Sequence, residues 1–108
     1  FPKTQLAAVS LQTVKQSNLD LLVNTTTVGM KYDSSPLDLS QCGIIKHVLD
    51  IIYSPAKTRL LREAEELGIP SVNGSGMLLN QGCEAFTFWT GKTAPENVMR
   101  EQLFKLLE

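Results

Sequence analysis

An α/β fold built on a parallel sheet is what this sequence predicts, and three observations carry the prediction. Three short apolar runs recur along the chain: DLLVN (20–24), residues 46–53 within IIKHVLDIIY (44–53), and IPSVN (69–73). Helix-periodic segments follow at 57–67, 75–90 and 95–107. The apolar runs are apolar nearly throughout, without the alternation of a half-wet strand. That is the pattern of parallel strands flanked by helices on both faces.

Each element has a local reason. The first strand closes on the polar turn TTTVGM (25–30), and the second ends at Pro55, which cannot donate to a ladder. The third ends at GSG (74–76). A further short strand is read at 7–9, and a short helix at 11–17. In AKTRLLREAEELG (56–68), Leu60, Leu61, Ala64 and Leu67 form one apolar stripe, and Arg62 and Glu66 are spaced as an exposed i,i+4 pair. Thr58 is its N-cap and Gly68 its stop. The last helix starts at Pro95 with Glu96 in its first turn and carries Val98, Met99, Leu103, Leu106 and Leu107. Crossovers between the strands are expected to be right-handed.

The helix over 75–90 holds an anomaly. At about 100° per residue, Met77, Leu78, Ala85, Phe88 and Trp89 share a broad apolar face, with Asn80, Glu84 and Thr87 opposite. Gln81 falls inside the apolar face. An unpaired buried amide costs about 1–3 kcal/mol, so backbone, water or a ligand must meet it.

The 108 residues suit one domain, 1–108, with a modest core. Hydrophobic residues at 43% and charged residues at 19% are ordinary for a globular protein. The net charge of -1 gives no electrostatic reason to expect nucleic acid or an anionic membrane as partner. No apolar run approaches a membrane span, and no signal peptide is read. Cys42 and Cys83 lack metal spacing and read as free buried thiols of a cytoplasmic protein. His47, the single histidine, excludes a His-pair metal site and reads as structural or surface; no metal site is expected. The opening FPKTQLAAVSL, without methionine or helix cap, reads as a piece of a longer protein or a processed one.

With all strands running one way, NTTTVGM (24–30), YSPAKT (53–58) and NGSGM (73–77) gather at the carboxyl edge of the sheet. Ligands of open α/β sheets bind there. The first of these loops offers an amide, three hydroxyls and a glycine, which suits either a self-satisfied turn or a ligand. The third places two glycines beside a helix start, where backbone N–H groups are free and a flat ligand can approach closely. Tyr53 and Gln81 point to the same edge, though each is also explained as an ordinary core-edge side chain. Residue chemistry alone reaches a small-molecule cleft of nucleotide-like character.

DLLVNTTTVGM (20–30), DIIYSPAKTRLLREAEELG (50–68), NGSGMLLNQGCEAFTFWTG (73–91) and APENVMREQL (94–103) together resemble the carboxyl-terminal half of the shikimate dehydrogenase family, in order and at nearly its spacing. The resemblance implies part of a Rossmann-like sheet whose cofactor is NADP, or NAD in some members. It implies reversible reduction of 3-dehydroshikimate to shikimate, in aromatic amino-acid biosynthesis. It places Asn24, Thr25, Thr26 and Thr27 on the ribose and nicotinamide side of the cofactor. Ile51 and Gly74 would hold the nicotinamide amide through their backbones, and Met77 would pack on the ring. Tyr53 and Gln81 would bind the substrate's carboxylate and hydroxyls.

The family's catalytic Lys and Asp belong to an amino-terminal substrate domain whose motifs this sequence lacks. The glycine-rich pyrophosphate loop and the basic residue selecting a 2′-phosphate are also missing, and Lys57 and Arg59 are not marked as substitutes. No catalytic residue is therefore assigned, and these residues alone are expected to be inactive. The last helix is expected to pack on the missing domain and, without it, to favour self-association. Two rivals stand: a non-catalytic module binding a nucleotide or a protein, and a quinate dehydrogenase or similar relative.

Overall fold

The computed structural model of the chain describes residues 3–107; Phe1, Pro2 and Glu108 lie outside them. In chain order the elements are α1 (Leu11–Lys15), β1 (Leu22–Asn24), a 3-10 turn (Leu39–Gln41), β2 (Val48–Asp50), α2 (Arg59–Glu66), β3 (Ser71–Val72), α3 (Ser75–Thr90) and α4 (Glu96–Leu107). The sheet is parallel, in the order β1-β2-β3. Its register aligns Val23 with Leu49 and Leu49 with Val72, and Asn24 with Asp50. All three strand ends therefore open on one edge.

The strands are shorter than the apolar runs that announce them, because a ladder extends only where neighbours overlap, and β3 offers two residues. Residues 7–9 form no strand; that segment is exposed coil. The first helix is five residues long, capped by the Ser10 hydroxyl, which accepts from the Thr13 amide. Between β1 and β2 the chain makes only the 3-10 turn. It is capped by Asp38, whose carboxyl is held below its ordinary pKa by the Ser40 hydroxyl and amide.

α2 follows its sequence signals except at Leu67, which the expected apolar stripe included and which is 49% exposed just past the end of the helix. The Thr58 hydroxyl accepts from the Leu61 amide, and Gly68, at φ +71, takes the left-handed position after the helix. The Gly68 and Ile69 amides then close on the carbonyls of Glu65 and Ala64, the paired bonds of a Schellman stop. The expected Arg62–Glu66 pair is replaced: Arg62 binds Asp33 in the segment between β1 and the 3-10 turn, while Arg59 and Glu63 form the i,i+4 pair.

One buried cluster joins Leu37, Leu39, Ile45, Val48, Leu60, Leu61 and Ala64, where α2 meets β2, β3 and the 3-10 turn; Ile52 and Leu79 are buried outside it. The opposite face is covered less than the apolar strands lead one to expect, since Val23 and Val72 are exposed. α3 packs against α4, where the Met99 methyl would lie 3.4 Å from a side chain at Gly82 and its sulfur sits 3.9 Å from that of Cys83. The expected buried face of α3 is not buried. Leu79 is, but Met77 is half exposed and Phe88 and Trp89 are 86% and 79% exposed, because no element among the described residues lies over that side. Val98 and Leu106 of α4 are exposed likewise. The radius of gyration, 16.4 Å, exceeds the roughly 13 Å of a compact domain this size. Apolar surface normally drives such a chain tighter; here two helices carry it outward.

Neither thiol is fully buried, in contrast to the expectation, although burial pushes the Cys42 thiol pKa up. His47 is exposed, with Nδ1 3.2 Å from the Asp20 carbonyl. Among the described residues no helix is long and apolar enough to cross a membrane, and no group of three metal-ligating side chains forms.

Candidate functional site

The carboxyl edge of the sheet is shaped by hydrogen bonds that begin in the strands. Asn24 ends β1, and its side chain is buried and fully engaged. Nδ2 donates to the Asp50 carboxylate and the Val28 carbonyl, both at 3.2 Å. Oδ1 accepts from the Thr26 amide at 3.0 Å and its hydroxyl at 2.7 Å. These bonds fold 24–28 back on itself, so the threonine loop is a satisfied turn and still presents the flanking Thr25 and Thr27 outward.

Past β2, the Ile51 amide donates to the Asn24 carbonyl, and the Ile52 carbonyl accepts from the Gly74 amide at 3.1 Å. The loop after β2 is thus stitched between those after β1 and β3. Contact at Gly74 is extreme. A side chain there would begin 1.8 Å from the Ile51 carbonyl oxygen, so only glycine lets the two backbones meet. α3 then starts under Asn73, whose Oδ1 accepts from the Ser75 amide and hydroxyl while Nδ2 holds the Ala56 carbonyl. Gly74 occupies the formal cap position with no side chain to use, and the preceding asparagine does the capping.

Between these loops lies a cleft of about 460 Å³. It gathers Thr25, Thr26, Thr27, Ile51, Tyr53, Gly74, Met77 and Gln81, all singled out from sequence, together with Met30, Ile52 and Leu78, which were not. Asn24 stands behind the wall and not in it. Gln81 is exposed rather than inserted into an apolar interior, so the anomaly of the helix pattern changes meaning: the amide faces an open cleft. Tyr53 is 40% exposed beside it. Apolar walls with a few convergent polar groups suit a flat, partly polar small molecule. A larger and more open groove, about 1100 Å³, runs along β3 and α2, but it carries none of the threonines, Tyr53 or Gln81. The smaller cleft is the better site because its polar groups converge.

Sequence reading missed Asp50, which is entirely buried at the centre of the edge. A signal was available: a carboxylate two residues after a core valine, inside an apolar strand, faces the same side as that valine. Met30 and Leu78 gave no signal, since apolar residues in a loop or helix look like core until the fold is seen.

A parallel α/β sheet with a ligand-sized cleft at its carboxyl edge is the architecture of a Rossmann-like domain. The profile of the Shikimate 5'-dehydrogenase C-terminal domain matches residues 74–104. The shikimate dehydrogenase (NADP(+)) of Geobacter sulfurreducens is 45% identical over 112 residues, covering 99% of this chain and 39% of that protein. The shikimate 5-dehydrogenase of Thermus thermophilus, solved in complex with NADP(H) and shikimate, superposes with a TM-score of 0.79 at 36% identity, over 93% of this chain and 38% of that one. The quinate dehydrogenase of Corynebacterium glutamicum, solved with NAD, gives 0.72 at 32% identity, over 80% and 31%. The chain spans about a third of the length of the curated relatives it matches. It belongs to the shikimate dehydrogenase family and corresponds to the carboxyl-terminal part of its members.

Proposed function

We propose that this chain forms the cofactor-facing wall of an NADP-dependent shikimate dehydrogenase and works with an amino-terminal substrate domain in the cytoplasm. The observation that supports this best is the convergence of Thr25, Thr26, Thr27, Ile51, Tyr53, Gly74, Met77 and Gln81 on one cleft. NADP, when bound, supplies or accepts the hydride exchanged with shikimate in aromatic amino-acid biosynthesis.

The residues fit such a group. Met77, Ile51 and Leu78 would form an apolar wall for a nicotinamide ring, with the adjoining Ile51 and Gly74 backbones to hold its amide. Asn24 acts through the turn it organises, while Thr25 and Thr27 would hold the cofactor's ribose side. Tyr53 and Gln81 offer a phenol and an amide to the carboxylate and hydroxyls of shikimate, aligning its carbon for transfer. Together the walls exclude water from one side of the reaction. The proton for the substrate oxygen must come from a donor near that oxygen, and the cleft itself offers no ionisable side chain except Tyr53. We place that donor on the amino-terminal domain. A quinate dehydrogenase using NAD is the second reading, kept because the quinate enzyme also superposes on this chain, at a TM-score of 0.72 and 32% identity.

The test is the full-length gene product assayed with shikimate or quinate and either NADP or NAD. Shikimate with NADP should give the largest kcat/KM; a preference for quinate with NAD would select the second reading, and no turnover of either would remove both. The 108 residues alone should show no turnover, and measurable activity from them, freed of host enzyme, would refute the division of labour.

The exposed face of α4 supports a missing neighbour. Burying a side chain such as Val98 or Leu106 is worth about 1.5–3 kcal/mol, and both are largely wet. The isolated chain should therefore self-associate in sedimentation. A strictly monomeric species with α4 strongly protected from hydrogen exchange would contradict this.

A further inference from the structure

We infer that Asp50 is a positioning residue that fixes the walls of the cleft, an inference that rests on the proposed dehydrogenase function only for its kinetic consequence. Asp50 is 0% exposed, and among the described residues its carboxylate is met by neutral donors alone. Oδ1 accepts from the Asn24 amide at 3.2 Å and the Ile52 amide at 3.1 Å; Oδ2 accepts from the Thr58 hydroxyl at 2.7 Å. A buried carboxylate with no cation beside it is costly, and an apolar residue would fill the space more cheaply. Its geometry supplies what an apolar residue would not.

A carboxylate only accepts, so Asn24 must turn its NH₂ toward it. That leaves Oδ1 to accept from the Thr26 amide and hydroxyl, and the Thr26 hydroxyl oxygen to accept from the Val28 amide at 3.2 Å. One orientation is thereby imposed on the whole threonine loop. The bond to Ile52 fixes the segment carrying Ile51 and Tyr53, and the Ile52 carbonyl carries the constraint to the Gly74 amide at 3.1 Å. The Thr58 hydroxyl, donating to Asp50, accepts from the Leu61 amide at 3.3 Å and so anchors the start of α2. Asp50 itself does not line the cleft. It holds the loops after β1 and β2 directly and the loop after β3 through the Ile52 carbonyl.

Hydrogen exchange and kinetics on Asp50→Ala and Asp50→Asn of the full-length gene product test this. Asn can keep Oδ1 toward Asn24 and Ile52 and turn Nδ2 to the Thr58 oxygen, so it should stay within about 5-fold of the parent. Ala frees all three donors. Below its melting temperature and with both substrates saturating, Asp50→Ala should lose about 10–100-fold in kcat, as loops drift from their reacting geometry. Exchange of the Thr26, Ile52 and Gly74 amides should rise at least about 10-fold, with that of Leu103 in α4 unchanged. A variant that melts earlier but keeps its kcat and these exchange rates would show a purely structural role and overturn the inference. Should Asp50→Ala not fold, Thr58→Val against Thr58→Ser decides: a kcat loss and faster Ile52 exchange in Val alone support it, and no difference between the two overturns it. If the parent oxidises neither shikimate nor quinate, the functional reading has failed separately. The exchange rates at Thr26, Ile52 and Gly74 then still decide the positioning.

Discussion

Replacing Gly74 by alanine should be the most damaging single-methyl change in the chain. The added carbon would sit 1.8 Å from the Ile51 carbonyl oxygen and 2.5 Å from its carbon. Ordinary contact needs about 3.5 Å, and both neighbours are backbone, which no rotamer change can move aside. Relief requires the loops after β2 and β3 to part by on the order of 1 Å, which breaks the Gly74–Ile52 hydrogen bond. Overpacking costs about 1–3 kcal/mol and the lost bond about 1 kcal/mol, so stability should fall by about 2–4 kcal/mol. In a domain this size that lowers Tm by roughly 10–25 °C. In the full-length enzyme, any folded fraction should lose about 100-fold in kcat/KM, the usual result of a 1 Å displacement at a reacting site. Gly76→Ala is the control: nothing lies within 4 Å of its added carbon, and alanine inside α3 should be neutral or stabilising by up to about 1 kcal/mol. Urea unfolding of the two variants side by side checks this. A Gly74→Ala protein within about 0.5 kcal/mol of the parent would mean that the two backbones do not meet as described.

That prediction depends on a contact invisible in the sequence, and the contrast marks what could be read and what could not. The helix over 57–67 was legible because its cap, stripe and stop are local: Thr58, Leu60 with Leu61 and Ala64, and Gly68 each act within one or two turns. The gathering of three polar turns at one edge was legible because parallel strands leave no other arrangement. The fate of α3 was not. Met77, Phe88 and Trp89 form an apolar face by periodicity, but periodicity describes only the helix; whether another element covers that face depends on atoms elsewhere. Asp50 was missed for a related reason. Its three partners lie 26, 2 and 8 positions away, and only the closest belongs to its own strand run. The same network explains why Asn24 is withdrawn from the cleft. From sequence the loop of small polar residues suits either a self-satisfied turn or a ligand, and the buried carboxylate decides for the turn at Asn24.

Gln81→Leu should separate folding from function in the full-length enzyme. In the structure Gln81 is exposed on α3 and lines the cleft, so its removal leaves no cavity and strands no buried partner. Exposed substitutions of this kind move stability by about 0.5 kcal/mol or less. Leucine also keeps the length and the helix propensity, so α3 should not notice. The substrate should. If the amide binds a hydroxyl or carboxylate of shikimate, its loss costs about 1.5–3 kcal/mol of transition-state binding, a decrease of about 10–100-fold in kcat/KM for shikimate. The KM for NADP should move little, because the amide serves the substrate side. Tyr53→Phe should follow in the same direction by less, since one hydroxyl goes and the ring stays. Melting temperature and steady-state constants on both variants form the check. Unchanged constants in Gln81→Leu would remove Gln81 from the site and leave its polar group as no more than a solvated side chain beside an apolar cleft. An increase in KM for NADP, with the shikimate constants untouched, would instead move it to the cofactor's side.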